Sequence, residues 1–386
     1  MIGTVTINPS IDQHILIDKL VKDDAIRALE IRRDPGGKGI NVSRVLKELG
    51  ADTTAFGVAG GCAGYMLKSL MAERGVPFES IEVREETRIN VIVTDRSDRT
   101  QTRISARGPW IRLDEAEQLL SKIADHEPFP EWWVLGGSLP PGMPEDFYAR
   151  LIIALQNRGA KCLLDTDGTP LKIGLEAKPY LIKPNEYEFA RLMGRPLCSD
   201  EALIEAAHEV LSTGVQVVAV TLGGRGALVA SQGRAFRSLA PPVEVRSKVG
   251  AGDCFLAAMA LALSRGQSLD TAVGLGTAAG TVAVMNEGTQ LCHREDVERL
   301  MSEVTVQAME YSVLGASSAG LRAIRDVVCG MEIDPQIVPF AAMYGEQEYH
   351  FCSLKCQQAF INNPERFCGR AGNQADLPDN RQGGHP

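Results

Sequence analysis

Residues 1–310 alternate short apolar runs of strand character with runs of helical character, and this alternation constrains the fold more than any other feature of the chain. Thr4–Asn8, Thr54–Val58, Trp132–Leu135, Lys161–Asp165, Tyr180–Lys183 and Val217–Thr221 read as short buried strands. Between them, Ile40–Leu49, Tyr65–Arg74, Asp114–Ala124, Pro144–Asn157, Asn185–Leu192, Asp200–Ser212 and Asp253–Ser264 read as helices. Strands separated by helices rejoin one sheet in parallel, so the spacing predicts an α/β fold: a mainly parallel sheet flanked by helices on both faces. One region breaks the rhythm. Arg88–Thr94 and Thr100–Ala106 alternate in strand fashion about a polar turn at 95–99, which predicts a hairpin outside the main sheet, a small β lid.

Bulk properties narrow the function. A length of 386 residues suits one large domain or two, and 44% hydrophobic with 23% charged residues is ordinary for a globular protein. A net charge of −9 without a long Lys/Arg run argues against nucleic acid as a partner. The chain passes from Met1-Ile2-Gly3 straight into a strand, without the charged and apolar regions of a signal peptide. Its longest uncharged stretch, Thr271–Asn286, is too short for a bilayer, so a cytoplasmic protein with no membrane partner is expected. Nine cysteines are unevenly spread, with four of them (Cys329, Cys352, Cys356 and Cys368) near the C-terminus. Residues 311–325 read as a linker, 326–369 as a compact cysteine-bearing module, and 370–386 as a disordered tail.

Glycine and charge gather where the predicted strands end, the rim at which open α/β sheets collect ligands. Val249-Gly250-Ala251-Gly252-Asp253 opens an apolar helix. The amides of Gly250, Ala251 and Gly252 there form an anion site with the Asp253 carboxylate at its mouth. An anion hole beside a base is the minimum needed to move a phosphoryl group onto an alcohol. Asp12 follows the first strand and suits sugar hydroxyls. Gly37, in Pro35-Gly36-Gly37-Lys38-Gly39-Ile40-Asn41, allows close approach of a ligand to backbone. The spacing is not that of a Walker A loop. Arg88 and Arg103 lie on the two arms of the lid hairpin, and arginine suits phosphate. Ser138 sits in Gly136-Gly137-Ser138-Leu139-Pro140-Pro141-Gly142 after another strand. Asn185 and Glu188 share one helical face behind Lys183 and suit the hydration shell of Mg²⁺. Thr221, Gly223 and Gly226 form a glycine-rich turn suited to a nucleotide. Each segment alone also reads as an ordinary loop.

Taken together, NPSID, GGKGIN, TRIN, GSLPPG, KPNEYE, TLGGRGA, VGAGD and NEGT resemble, in order and spacing, the PfkB or ribokinase-like carbohydrate kinases. The resemblance covers about residues 1–305. It is strongest to the phosphosugar kinases: minor-type 6-phosphofructokinases, 1-phosphofructokinases and tagatose-6-phosphate kinases. It implies a ribokinase-like sheet with lid segments at about 12–35 and 87–107, and transfer of the γ-phosphoryl of MgATP to a ketohexose phosphate. Fructose 6-phosphate is the leading substrate, with fructose 1-phosphate and tagatose 6-phosphate as alternatives. Asp253 would be the base, with Gly250, Ala251 and Gly252 as the anion hole. Asp12, Gly37, Lys38 and Asn41 would hold the sugar, and Arg88, Arg103 and Ser138 its phosphate. Lys183, Asn185, Glu188, Thr221, Gly223, Gly226 and Asn286 would serve ATP and Mg²⁺. Three positions depart from the family pattern: Ala25, where some 6-phosphofructokinases carry lysine (Arg27 is the nearby substitute), Lys248, and Cys254, where Ser or Thr is usual. The edges of the lid hairpin also predict pairing with a second copy, hence a homodimer.

The C-terminal module resembles a YHS domain of the TRASH-like group, on DVVCGM, YHFCSLKC and the spacing Cys-x22-Cys-x3-Cys. So small a module buries little core, and a metal would stabilise it. Cys329, Cys352 and Cys356 suit Zn²⁺ or Cu⁺, with Cys368 or His350 as a fourth ligand. A chain that only binds or senses metal on a kinase-like scaffold is the competing reading.

Overall fold

The computed structural model describes residues 1–98, 100–286, 288, 290–309, 324–333, 340–345 and 347–368. These fall into two compact units, one holding the described residues of 1–192 and 204–309, the other those of 193–203 and from 324 onward. Most of the linker expected at 311–325, and the tail from 370, lie outside the described residues.

The first unit runs β1 (Ile2–Thr6), β2 (Ser10–Ile17), β3 (Glu30–Gly36), α1 (Lys38–Glu48), β4 (Thr53–Ala59), α2 (Gly61–Glu73), β5 (Phe78–Glu82), β6 (Arg88–Asp95) and β7 (Thr100–Ile104). It continues α3 (Leu113–Ala124), β8 (Trp132–Gly136), α4 (Phe147–Gln156), β9 (Lys161–Asp165), α5 (Thr169–Glu176), β10 (Leu181–Ile182), α6 (Glu186–Met193) and α7 (Asp200–Ser212), of which Met193 and the first turn of α7 fall in the second unit. It closes with β11 (Val217–Thr221), β12 (Ala227–Ser231), β13 (Arg234–Leu239), α8 (Ala251–Ser264), α9 (Leu269–Met285), α10 (Arg294–Leu300) and β14 (Thr305–Met309).

Ten strands form one sheet in the order β14-β13-β12-β11-β10-β9-β8-β1-β4-β5. It is parallel from β5 to β11, and β12, β13 and β14 extend it antiparallel. Central strands of the parallel part are buried on both faces: every residue of β4 and β8 is buried. The larger core packs one face of this sheet against α1, α8, α9 and α10, and a smaller one lies under α2 around Ile11, Ile40 and Leu67. Glycine lets α8 and α9 approach closely. A Cβ on Gly276 would lie 2.9 Å from Met259 Cγ, and one on Gly280 3.1 Å from the Ala251 carbonyl oxygen.

A separate four-stranded sheet, β3-β2-β6-β7, holds the segments expected to form the lid. The hairpin expected from alternation is present as β6–β7, and β2 and β3 complete it on the other side. All five residues of the edge strand β7 are exposed. Among the described residues, no helix is long and apolar enough to cross a membrane.

The second unit contains two short antiparallel pairs, β15 (Ile324–Arg325) with β16 (Glu332–Ile333) and β17 (Phe340–Tyr344) with β18 (Gln347–Phe351). α11 (Leu354–Asn362) and α12 (Glu365–Cys368) follow. Its core is a small aromatic knot in which Tyr349 and Phe351 lie 4.7 and 5.0 Å from Phe360, centroid to centroid.

Candidate active site and cysteine cluster

Sheet register assembles the site. Thr6 lies beside Gly136, and Gly136 beside Asp165, at the carboxyl ends of β1, β8 and β9. Lys183 follows β10, and Thr221 ends β11 beside Asn185. The expected strand-end segments therefore share one rim.

α8 begins there. Gly250 caps it with φ 81°, a left-handed conformation that glycine adopts at little cost, and Asp253 occupies the first turn. The first-turn amides of such a helix have no intrahelical partners and face outward with the positive end of the dipole. Asp253 is buried, and one carboxylate oxygen, Oδ2, accepts a 2.8 Å hydrogen bond from Asn41 Nδ2. Burial and the nearby Asp165 carboxylate raise its pKa to about 6, against the opposing pull of Lys38, Asn41 and Lys183.

Asp165 is the member of this site that the sequence reading passed over. It is buried and takes the Lys38 Nζ at 2.7 Å on Oδ1 and the Lys183 Nζ at 3.2 Å on Oδ2. The two ammonium groups outweigh its burial and hold its carboxyl below the usual range. Burial alone would lower Lys38, but Asp165, Glu188 and Asp253 together push it above the ordinary lysine value. Lys183 also reaches the start of α8: a Cβ on Gly252 would lie 3.3 Å from its Nζ. Two lysines and a helix N-terminus thus converge beside a buried carboxylate, an arrangement suited to a phosphoryl group in transfer.

The lid side is equally ordered. Asp12 is buried and accepts from Ser10 Oγ at 2.9 Å and Asn90 Nδ2 at 2.8 Å, with Arg103 Nη2 at 3.9 Å. Glycine is required behind it, because a Cβ on Gly36 would fall 2.7 Å from Asp12 Cγ. Gly37 caps α1 at φ 118°, and a Cβ there would strike Thr6 Cγ2 at 2.5 Å. Arg88 donates to the carbonyls of Asn8 at 2.8 Å and Ala106 at 3.0 Å, while its buried Nε finds no hydrogen-bond partner among the described residues. Asn8 Nδ2 donates to Ser138 Oγ at 3.3 Å, which links the loop after β1 to the loop after β8. Arg103 and Ser138 are exposed.

On the other side, Asn185 and Glu188 hold each other in a reciprocal cap of α6. The Asn185 amide donates to Glu188 Oε2 at 2.8 Å and the Glu188 amide to Asn185 Oδ1 at 2.9 Å. Glu188 keeps one carboxylate oxygen outside this pair, a donor type that suits Mg²⁺ through water. Gly223 and Gly226 adopt φ of 60° and 86°, and a Cβ on Gly226 would lie 2.2 Å from the Ser238 carbonyl oxygen. Asn286 ends α9 and donates through Nδ2 to the Leu291 carbonyl at 2.8 Å. Arg27 and Lys248 are exposed, whereas Cys254 is buried.

In the second unit Asp326, Cys329, Cys352 and Cys356 bring one ligand atom each within 4.8 Å of one another. The Cys329 and Cys352 sulfurs are 3.4 Å apart, those of Cys352 and Cys356 3.7 Å. Asp326 organises both cysteine loops by accepting from the amides of Val328 and Cys352, each at 2.8 Å. Hydrogen bonding to Cys352 draws the Cys329 thiol down to about 7 and drives Cys352 up. His350, one of two expected fourth ligands, is outside this group, with Nε2 3.7 Å from Glu348. The Cys368 side chain, the other, lies outside the described residues. Among the described residues Asp326 is the fourth member of this group, and its position in DVVCGM was the available signal. Three thiols and a carboxylate at this spacing suit Zn²⁺ or a thiophilic ion such as Cu⁺.

Comparison with known proteins agrees with both parts. Residues 1–296 match the profile of the pfkB family carbohydrate kinases, and residues 324–371 that of the YHS domain. An ATP-dependent 6-phosphofructokinase isozyme 2 of Mycobacterium tuberculosis is 36% identical over 297 residues, 77% of this chain and 87% of that protein. A 1-phosphofructokinase of Borreliella burgdorferi is 33% identical over 311 residues, 80% of this chain and 98% of that protein. The tetrameric inhibited form of phosphofructokinase-2 from Escherichia coli superposes with a TM-score of 0.74 at 33% identity, over 78% of this chain and 98% of its own.

Proposed function

This chain belongs to the pfkB family of carbohydrate kinases, and on that footing we propose that it is an ATP-dependent phosphofructokinase converting fructose 6-phosphate to fructose 1,6-bisphosphate. The observation that carries the reading is the convergence of Asp253, Lys38, Lys183 and the α8 N-terminus around Asp165. Asp253 accepts the proton of the attacking hydroxyl, with Oδ1 as its receiving oxygen because Asn41 occupies Oδ2. The amides of Gly250, Ala251 and Gly252, with Lys183, stabilise the charge that develops on the γ-phosphoryl. Asp12, Gly37 and Asn41 orient the sugar. Arg88, Arg103 and Ser138 take its existing phosphate, and the unpartnered Arg88 Nε supports that role. Thr221, Gly223, Gly226 and Asn286 line the nucleotide side. Asn185 and Glu188 would hold Mg²⁺ through its water shell; when bound, the ion neutralises phosphate charge.

The 1-phosphofructokinase likeness makes fructose 1-phosphate the second substrate to test, with tagatose 6-phosphate beside it. Phosphorus NMR of the product from each sugar phosphate decides among them. Fructose 1,6-bisphosphate formed from fructose 6-phosphate at the highest kcat/KM is expected, and a higher value for either rival would displace the assignment.

A pKa of about 6 for a catalytic base has a direct kinetic consequence. The base works deprotonated, so kcat/KM should rise with pH through about 6 and then level. A profile of kcat/KM against pH checks this. A rate still flat about two units below that value would remove Asp253 from the role.

Two further features complete the reading. We place the protein in the cytoplasm, and the exposed strand β7, with exposed Ile31, Ile89 and Ile104 on the same sheet, supports a homodimer covered at the lid. Cys329, Cys352 and Cys356, with Asp326, hold Zn²⁺ or Cu⁺. Removal of that ion with a chelator selective for thiophilic metals, followed by assay in excess Mg²⁺, should then lower the melting temperature of the C-terminal unit in the full chain while leaving sugar phosphorylation unchanged, as read by calorimetry and assay. A melt unaffected by chelator on a protein shown to contain metal would contradict a structural role for the ion.

A further inference from the structure

Arg44 stands on α1 three residues beyond Asn41, hence on the same helical face. It lies beneath the site, its side chain only 9% exposed. Its Nη1 donates to Asn41 Oδ1 at 3.3 Å and to the Pro35 carbonyl at 3.1 Å, and its Nη2 is 3.9 Å from Asp34 Oδ1. The Asn41 amide therefore sits between a guanidinium and the Asp253 carboxylate. A guanidinium only donates and an ionised carboxylate only accepts, so one orientation of the amide satisfies both. The reversed orientation would set its Oδ1 against a carboxylate oxygen and its NH₂ against the guanidinium.

We propose that Arg44 is a positioning residue for phosphoryl transfer, which fixes the Asn41 amide with Nδ2 on Asp253 and ties that orientation to the lid through Asp34. Asp34 belongs to lid strand β3 and is buried. It also receives Arg32 of its own strand and Arg74 at the end of α2, each at 2.9 Å. Arg44 thus shares the single Asp34 charge with Arg32 and Arg74, at a point where the β3 strand meets α1 and α2. This inference rests on the assignment of Asp253 as the base.

The groups facing Asp253 are the carboxylate of Asp165, the ammonium groups of Lys38 and Lys183, and Asn41. Loss of Arg44 leaves the first three in place and frees the fourth to turn, so Asp253 binds its proton more tightly. Arg44→Met should raise the acid limb of kcat/KM with fructose 6-phosphate by about one pH unit, the size one charge-assisted hydrogen bond accounts for. The rate should fall about tenfold on the acid side and little on the alkaline plateau. Arg44→Lys restores a donor without an acceptor and should keep the wild-type limb. A general structural defect would lower the rate at every pH.

A folded Arg44→Met enzyme with an unmoved limb overturns the proposal. So does an Arg44→Lys enzyme shifted as far as the Met variant. Should Arg44→Met not fold, the test passes to ¹⁵N–¹H spectra of the wild type and Arg44→Lys. The Asn41 side-chain amide should titrate with Asp253 in both, and an amide that does not titrate overturns the proposal. Asp253→Asn separates the two levels: an active Asp253→Asn enzyme removes the base assignment, whereas an inactive one with an unmoved Arg44→Met limb removes only the role of Arg44.

Discussion

Asp253→Asn should lower kcat by about a thousandfold while leaving ATP affinity within a few-fold of wild type. The substitution keeps the shape of the side chain at the start of α8 and keeps a partner for Asn41, whose Nδ2 now meets the carboxylate at 2.8 Å. It removes only the capacity to take a proton. A positioned base contributes about 10²–10⁴-fold, and the helix N-terminus and lysines remain to bind the nucleotide. Steady-state assays with titration of ATP binding check both halves. A variant with near-wild-type turnover would show that the hydroxyl loses its proton elsewhere.

Asp165→Leu should have the largest effect on stability. Asp165 holds Lys38 at 2.7 Å and Lys183 at 3.2 Å, and the Lys183 side chain is only 4% exposed. Removing the carboxylate strands at least one buried cation, a change that costs about 3–5 kcal/mol. Lys38 can turn toward water, which favours the lower end. For a unit of this size that is a fall in melting temperature of roughly 5 °C. Asp165→Asn, which keeps the volume, should lose less stability. It should also move the acid limb of the pH profile below the wild-type position, because Asp165 is a like charge that raises Asp253. Thermal melts of both variants and a pH profile of the second check this. An Asp165→Leu protein melting with wild type would mean that the two lysines are paired elsewhere.

The parallel sheet was legible because its strands and helices have different apolar periods, and Lys161–Asp165 and Val217–Thr221 begin and end where expected. The antiparallel extension was not. β12 follows the Gly223–Gly226 turn so closely that the segment reads as a ligand loop, and β13 and β14 carry little apolar alternation. Helix α9 was concealed by composition. Its glycines and alanines look like a featureless uncharged run, yet small residues are what close contact with α8 requires. In the site, Asp253 and its glycines were visible as a local motif. Asp165 was not, because a single carboxylate closing a strand has no local signature and acquires its role from Lys38 and Lys183, distant in the chain. Asn185 and Glu188 carried a signal open to two uses. The same spacing that suits a metal shell is also that of a capping pair, and the cap accounts for their backbone hydrogen bonds.

The measurement that bears most directly on the central claim is ATP-dependent phosphorylation by the purified full chain, with kcat/KM compared across fructose 6-phosphate, fructose 1-phosphate, tagatose 6-phosphate, fructose and ribose. Fructose 6-phosphate should lead, with the neutral sugars lower by two orders of magnitude or more (roughly 3 kcal/mol) because they leave the paired arginines without a phosphate. Turnover of fructose or ribose at rates equal to the sugar phosphates would contradict it and would return Arg88 and Arg103 to the lid as structural residues.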